Sequence, residues 1–198
     1  MRILLGTGTT DANGNVTVTY TGSGAGKVQL MAECGTIQSE TYSLYDVLFK
    51  DIGTEDDYTA WTSLINMDIE RTTESLLTPT DPTVSSATYL TISDYTVPFT
   101  IELDFCMNFT SNAGSNVLSI RQGTSSKAGV SPNALGLVSG KYSHVILTIT
   151  DEELKINVDG TDKTPISHDG EFNRFYIWQT GNLAWQSIKY RNFIIYPI

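Results

Sequence analysis

The fold of this chain is indicated most directly by Lys141 to Gly160, KYSHVILTITDEELKINVDG. Apolar and polar residues alternate in two runs, 145–149 and 154–158, separated by the charged triplet Asp151-Glu152-Glu153. Alternation with period two places one set of side chains against a core and the other toward water. Asp159-Gly160 predicts a tight turn, because glycine adopts positive φ at no steric cost. The stretch therefore predicts an antiparallel unit with one apolar face, which needs a second sheet to cover it.

A second alternating stretch, FTIELDFCMNF at 99–109, predicts a long strand with one aromatic and aliphatic face. We expect 117–121 to be its hairpin partner, and 172–179 and 186–196 to be further strands. No stretch predicts a long helix, and strands separated by turn signals at short intervals are typical of a β-sandwich. The residues expected in one core are Ile101, Leu103, Phe105, Leu147, Ile149, Ile156 and Val158.

The order of these elements resembles a known family of modules. A strand, an acidic turn and a strand ending in Val158-Asp159-Gly160 are followed by Gly170-Glu171-Phe172 and a final apolar strand. This order is similar to that of laminin-G-like, or concanavalin A-like, sandwich modules over residues 47–198. The resemblance implies an all-β jelly-roll sandwich. It also implies a binding role, since such modules often bind glycans or cell-surface partners.

Residues 1–46 form a separate predicted unit of short strands at 16–20, 27–34 and 39–44. The string TTDANGNVTVTYTGSGAGKVQLMAECGTIQSETYS resembles the second half of the bacterial Ig-like repeats of surface adhesins and of phage or archaeal-virus structural proteins. A unit of this length is too short for an ordinary sandwich core. We therefore expect it to pack on the sandwich or, more readily, on another subunit, and fibrous appendages of this kind often form trimers.

The composition excludes some classes of partner. The chain has 198 residues and a formal net charge of −10, and its twelve basic residues form no run. Nucleic-acid binding requires clustered Lys and Arg, so it is not expected. No stretch approaches the roughly 20 apolar residues of a membrane helix, so membrane insertion is not expected. Cys34 and Cys106 fall in different predicted domains and are expected to be free thiols. The expected location is extracellular, on a virion or on a cell surface.

A cluster of carboxylates at the junction of the two predicted domains could hold a cation. Asp51, Asp56 and Asp57, with Glu55 between them, could bind Ca²⁺ if backbone carbonyls complete the shell. Their spacing does not fit an EF-hand. The alternative is a solvated acidic linker.

Aromatic and amide residues near the C-terminus are candidates for sugar binding. If Phe175 and Ile177 face the core, Tyr176 and Trp178 face outward, close in sequence to Asn182 and Trp185. An exposed ring can stack on the apolar face of a sugar while amides bind its hydroxyl groups. The alternative is that these side chains are covered by a neighbouring domain or subunit.

Two carboxylates on the long strand could perform acid–base chemistry. Glu102 and Asp104 point the same way about 7 Å apart, within the range of paired glycosidase carboxylates. Laminarinase-type hydrolases, which share this sandwich, have Glu-x-Asp-x-x-Glu on one strand. Here Met107 stands in place of the last Glu and on the apolar face. The two carboxylates are therefore interpreted as polar residues on a solvated face. No nucleophilic site is predicted either, because Ser167, His168 and Asp169 are sequence neighbours, whereas a triad is assembled from separate elements.

These observations lead to one hypothesis and two alternatives. The hypothesis is a non-enzymatic surface or virion appendage protein that mediates adhesion or host-receptor binding through a glycan or a surface protein. The first alternative is a purely structural virion component, such as a capsid decoration or tail protein, that makes subunit contacts. The second is a glycoside hydrolase of the laminarinase-like type.

Overall fold

The structure is a computed structural model that describes residues 7–9, 12, 27–30, 32–34, 37–38, 42–45, 48–51, 61–72, 74–81, 84–109, 115–179 and 185–198. The predicted strand at 16–20 lies outside these residues. The described residues of the N-terminal part include four short strands: β1 (Lys27–Leu30), β2 (Glu33–Cys34), β3 (Ile37–Gln38) and β4 (Tyr42–Tyr45). β1 pairs with β4 and β2 pairs with β3, both antiparallel. The division into units 1–46 and 47–198 stays a prediction.

The rest of the described chain is almost entirely β-strand. In chain order the elements are β5 (Phe49–Asp51), β6 (Trp61–Ile65), β7 (Met67–Arg71), β8 (Ser75–Pro79), β9 (Ser86–Thr91), β10 (Phe99–Phe109), β11 (Leu118–Gln122), β12 (Ser125–Val130), α1 (Pro132–Leu135), β13 (Tyr142–Ile149), β14 (Glu153–Val158), β15 (Thr161–Asp162), β16 (Ile166–Ser167), β17 (Arg174–Gln179) and β18 (Trp185–Pro197). Within the described residues, no helix has the length and apolar character needed to cross a bilayer.

These strands form two antiparallel sheets. The large sheet has nine strands in the order β15-β14-β13-β10-β18-β8-β7, with β16 paired to β14 and β5 paired to β18. The small sheet has five strands in the order β12-β11-β17-β9-β6. The chain therefore forms the all-β sandwich that the strand pattern predicts, and it is of the jelly-roll type that the resemblance implies.

The core lies between the inner faces of the two sheets. Each of the seven residues expected there is at most 4% exposed: Ile101, Leu103, Phe105, Leu147, Ile149, Ile156 and Val158. Burying a side chain of this size contributes roughly 1.5–3 kcal/mol, so the alternating face of β10, β13 and β14 is a main source of stability. The core prediction is confirmed.

The stretch 141–160 forms the hairpin that its pattern predicts. β13 pairs with β14 through Leu147 opposite Ile156. Asp159 and Gly160 have φ values of 51° and 79° and connect β14 to β15 with a two-residue turn. Such a turn needs positive φ at both positions, which Asp-Gly tolerates.

The predicted hairpin between 99–109 and 117–121 is wrong. β10 pairs with β13 and β18 in the large sheet, whereas β11 pairs with β12 and β17 in the small sheet. Leu118 and Ile120 of β11 belong to the same core as the inner residues of β10. Both strands have an apolar face, and placing them in opposite sheets buries both faces at once.

Candidate functional site

A group of polar side chains lies on the outward face of the large sheet, across β13, β10 and β18. In the strand register Asp104 lies opposite His144 of β13 and Arg191 of β18, and Glu102 lies one step along the same face. Because these residues alternate with core residues, they face away from the sandwich interior. We call the five residues Glu102, Asp104, His144, Arg191 and Asn192 the polar cluster.

His144 connects the two carboxylates of the polar cluster. Its Nε2 lies 3.2 Å from Glu102 Oε1, and its Nδ1 lies 3.0 Å from Asp104 Oδ1. A neutral imidazole has one N–H, so both contacts are hydrogen bonds only when the ring carries both protons. Glu102 is also bound on its other oxygen, which accepts from the Tyr196 hydroxyl at 2.8 Å.

A β-bulge in β18 brings two further donors to Asp104. The register of β10 with β18 shifts between Glu102, opposite Ile194, and Asp104, opposite Arg191. Asn192 lies at the extra position with φ of 53°, a left-handed conformation that asparagine tolerates. As a result Asn192 Nδ2 and Arg191 Nε both donate to Asp104 Oδ2, at 2.8 and 3.3 Å.

These contacts change the acidity of Asp104. Burial alone raises the pKa of its carboxyl group, but hydrogen bonds from His144 and Asn192 and the positive charges of His144 and Arg191 outweigh burial. The pKa of Asp104 therefore lies below its ordinary value, and the group is a fixed negative charge at neutral pH.

The interpretation of Glu102 and Asp104 as residues on a solvated strand face needs correction. Glu102 is only 5% exposed, and Thr100 and Cys106 on the same face are 4% exposed. β10 is a central strand, so side chains of β13 and β18 cover its outward face from both sides. Cys106 is a free thiol, as expected, and burial raises its pKa.

A second ion pair extends the polar surface along β18. Glu74 accepts from Lys189 Nζ at 2.6 Å and from the Tyr142 hydroxyl. The hydrogen bond from Lys189, followed by that from Tyr142, holds the pKa of Glu74 below its ordinary value. The guanidinium of Arg191 lies over the Tyr142 ring, 4.3 Å from its centroid, a cation–π contact that helps to hold the guanidinium in place.

An open cleft lies beside the polar cluster on the same face of the large sheet. Its volume is about 400 Å³. Ile146 and Thr148 of β13, Lys155 and Asn157 of β14, and Lys163 line it. Ile146 lies directly opposite Glu102 in the register, so cleft and cluster form one continuous surface.

The predicted sugar-binding residues near the C-terminus are only partly described. Phe175 and Ile177 face the core, as predicted, but Tyr176 is only 3% exposed. Its ring stacks on Tyr89 with centroids 5.0 Å apart. The expected exposure of Tyr176 is therefore wrong, because a neighbouring strand covers it. Trp178 and Trp185 lie on β17 and β18, but their side chains, and all of Asn182, lie outside the described residues.

Asp51, one of the predicted calcium ligands, forms a buried ion pair. Its two oxygens accept from Arg71 Nη1 and Nη2 at 2.9 and 3.0 Å, and Oδ2 also accepts from Trp61 Nε1 at 2.6 Å and from the Tyr190 hydroxyl at 2.9 Å. Burial, followed by the charge of Asp51, raises the pKa of Tyr190. Asp56 and Asp57 lie outside the described residues, and no set of metal ligands occurs within them.

The other positions considered for catalysis, Met107 and His168, make contacts that stabilise the fold. Met107 is 1% exposed on the inner face of β10, so the position of the missing third carboxylate points into the core. His168 accepts a hydrogen bond from the Gly170 amide at 3.0 Å and packs edge-on against Phe172. These contacts hold the turn at 168–172.

Comparison with known proteins supports the fold. No protein-family model matches the chain, and no curated protein matches its sequence. A protein of unknown function with a galectin-like fold from Bacillus subtilis is similar, with a TM-score of 0.52, 10% identity, and coverage of 75% of this chain and 94% of that one. The receptor-binding domain of a botulinum neurotoxin mosaic serotype C/D is also similar, with a TM-score of 0.50 and 9% identity. That match covers 76% of this chain and 47% of the neurotoxin domain.

A sialidase is also similar, with a TM-score of 0.49 and 11% identity, and the match covers 77% of this chain but only 19% of the sialidase. At identities of this size, the likeness to the galectin-like protein and to the neurotoxin domain establishes a shared fold and nothing about the site. The chain thus has a β-sandwich fold like that of the galectin-like protein.

Proposed function

We propose that this chain is a non-enzymatic glycan-binding module and that the polar cluster with its adjacent cleft is the binding surface. The observation that carries the proposal is the convergence of three strands on Asp104, where carboxylate, imidazole, guanidinium and amide groups meet on one outward face. Adjacent sugar hydroxyls both donate and accept hydrogen bonds, and such a mixed set of planar groups serves both roles.

The cluster is held in place yet accessible. The side chains of His144 and Arg191 are 42% and 46% exposed. Arg191 binds Asp104 through Nε and lies over Tyr142, so its terminal N–H groups remain available to a ligand. Because its partners already fix the guanidinium, little side-chain freedom is lost on binding.

The proposed setting is adhesion or host-receptor binding by an extracellular, virion or cell-surface appendage. The likeness to a receptor-binding domain and to a galectin-like protein supports this at the level of fold. The Ser-, Thr- and Gly-rich acidic sequence is typical of such proteins. The laminin-G-like assignment of 47–198, the Ig-like assignment of 1–46, and assembly with other surface or virion subunits, including trimers, belong to the same proposal.

The absence of an enzymatic role is likewise proposed. Glu102 and Asp104 share His144, and the third carboxylate of the laminarinase pattern is replaced by the buried Met107. The chain should release no reducing sugar from β-glucans. Release by the wild type that disappears in Glu102→Gln would establish a hydrolase instead.

A glycan array tests the binding proposal. Asn192→Gly keeps the positive φ but removes the amide donor to Asp104, so the variant should fold normally. It should bind the glycan that the wild type selects on the array at least about tenfold more weakly. Lys127→Gln, on the small sheet, is the matched control and should bind as the wild type does. Equal binding by Asn192→Gly and wild type would rule out the polar cluster. If the wild type retains no glycan at all, the purely structural role as a capsid decoration or tail protein takes its place.

A further inference from the structure

Two arginines lie directly opposite each other on the small sheet. Arg121 of β11 and Arg174 of β17 are partners in the strand register. Like charges at such a position are destabilising. Other groups must therefore offset the repulsion between the two guanidinium groups.

Two tyrosines hold these arginines in place. The guanidinium of Arg174 lies 4.4 Å from the ring centre of Tyr89, and that of Arg121 lies 5.1 Å from the ring centre of Tyr176. The two rings stack on each other at an interplanar angle of 28°. Arg174 Nη1 also donates to the Tyr176 hydroxyl at 3.4 Å. The four side chains therefore form a fixed ladder on the outward face of the small sheet.

Arg174 differs from five other basic residues of the described chain, each of which lies beside a carboxylate. The carboxylate-paired positions are Arg71 with Asp51, Lys127 with Asp169, Lys155 with Glu153, Lys189 with Glu74 and Arg191 with Asp104. The Arg174 guanidinium instead contacts the two tyrosines of the ladder. A guanidinium held over a ring still presents N–H groups along its edge, where a carboxylate or sulfate binds.

The neighbours of the ladder favour a sugar over a protein as the source of the anion. In the strand register, Thr91 of β9 lies opposite Arg174, and Ser126 of β12 lies opposite Arg121. Both of these hydroxyl residues are exposed. The hydroxyl groups of these two residues suit a saccharide, whose own hydroxyl groups donate and accept hydrogen bonds.

We propose that Arg121 and Arg174 form a second binding site, on the outward face of the small sheet, for the carboxylate or sulfate group of an acidic saccharide. The site is separate from the polar cluster, because the two lie on opposite sheets. It extends the proposed glycan binding to acidic sugars but does not depend on the polar cluster.

Binding to soluble polysaccharides tests this site. Dextran sulfate and polygalacturonate distinguish a sulfate from a carboxylate, and neutral dextran should not bind. Arg174→Gln and Arg121→Gln should each weaken binding of the preferred acidic polymer about tenfold or more. Lys141→Gln, which removes an exposed cation just before β13 and outside the cleft, is the control and should stay within about twofold. The chain as a whole is acidic, so general attraction to polyanions does not produce the signal.

Two further measurements keep the result interpretable. Removing one of two neighbouring like charges should leave the urea midpoint of Arg174→Gln unchanged or raise it, so lost binding would not reflect unfolding. Asn192→Gly should keep full affinity for the acidic polymer, which separates this site from the polar cluster. The proposal is wrong if the wild type binds neither acidic polymer, or if Arg174→Gln binds as tightly as the wild type.

Discussion

Replacing Asp51 by asparagine should strongly destabilise the sandwich. Asp51 is fully buried, and the Arg71 side chain that it neutralises is only 4% exposed. The asparagine amide oxygen could still accept from Trp61 and Tyr190, but the buried guanidinium would lose the carboxylate that it binds through both Nη atoms. Removing one partner of such a pair costs about 3–5 kcal/mol, a large share of the roughly 5–15 kcal/mol that stabilises a typical domain. The effect should be large because Trp61 belongs to the small sheet and Asp51 to the large one, so the network joins both sheets.

Urea denaturation followed by tryptophan fluorescence measures this loss. Asp169→Asn is the matched control, because it removes an ion pair whose carboxylate is 59% exposed and should barely move the midpoint. The double variant with Asp51→Asn and Arg71→Met should be more stable than Asp51→Asn alone, since it also removes the buried positive charge that Asp51 neutralised. Equal midpoints for Asp51→Asn and Asp169→Asn would refute the reasoning.

Three further predictions concern the core, the surface charges and the N-terminal unit. Leu147→Ala should lower the free energy of unfolding by about 2–5 kcal/mol, and a denaturation midpoint that barely moves would show that the core assignment is wrong. The pKa of Asp104 is lowered on folding, so its contribution to stability should be present above its ordinary value of 3.8 and disappear as the pH falls through the folded-state pKa. The stability difference between wild type and Asp104→Asn should therefore shrink between about pH 7 and about pH 3; a constant difference would contradict it. Residues 1–46 should promote self-association, which light scattering on the full chain and on a chain beginning at Tyr45 would measure; two monomers of equal thermal stability would show that the segment is dispensable.

The strands and their inner faces could be predicted because they depend on local patterning. The alternation in 99–109 and in 141–160 identifies which residues enter the core, and Asp159-Gly160 identifies a turn, without any knowledge of the partner strands. The pairing of the strands could not be predicted in the same way. The nearest strand after β10 in sequence was predicted as its partner, but β10 pairs instead with two strands that lie far along the chain.

For the same reason, only part of the candidate site could be predicted from the sequence. Glu102 and Asp104 stand out as an i, i+2 pair, but no local signal connects them to His144 or to the bulge at Asn192. Register and bulges between distant strands are set by how the whole sheet packs, so they cannot be read from one strand.

The sequence by itself determined that this chain is an all-β sandwich and which side chains fill its core, because period-two alternation specifies a strand and its buried face. The burial and the contacts of the outward-facing side chains depend on the tertiary structure. There Tyr176, a candidate for sugar binding if exposed, lies under Tyr89, and Asp51, a candidate calcium ligand, binds Arg71. Burial of an outward-facing side chain depends on the long neighbours that adjacent strands place beside it, and only the folded sheet brings those neighbours together.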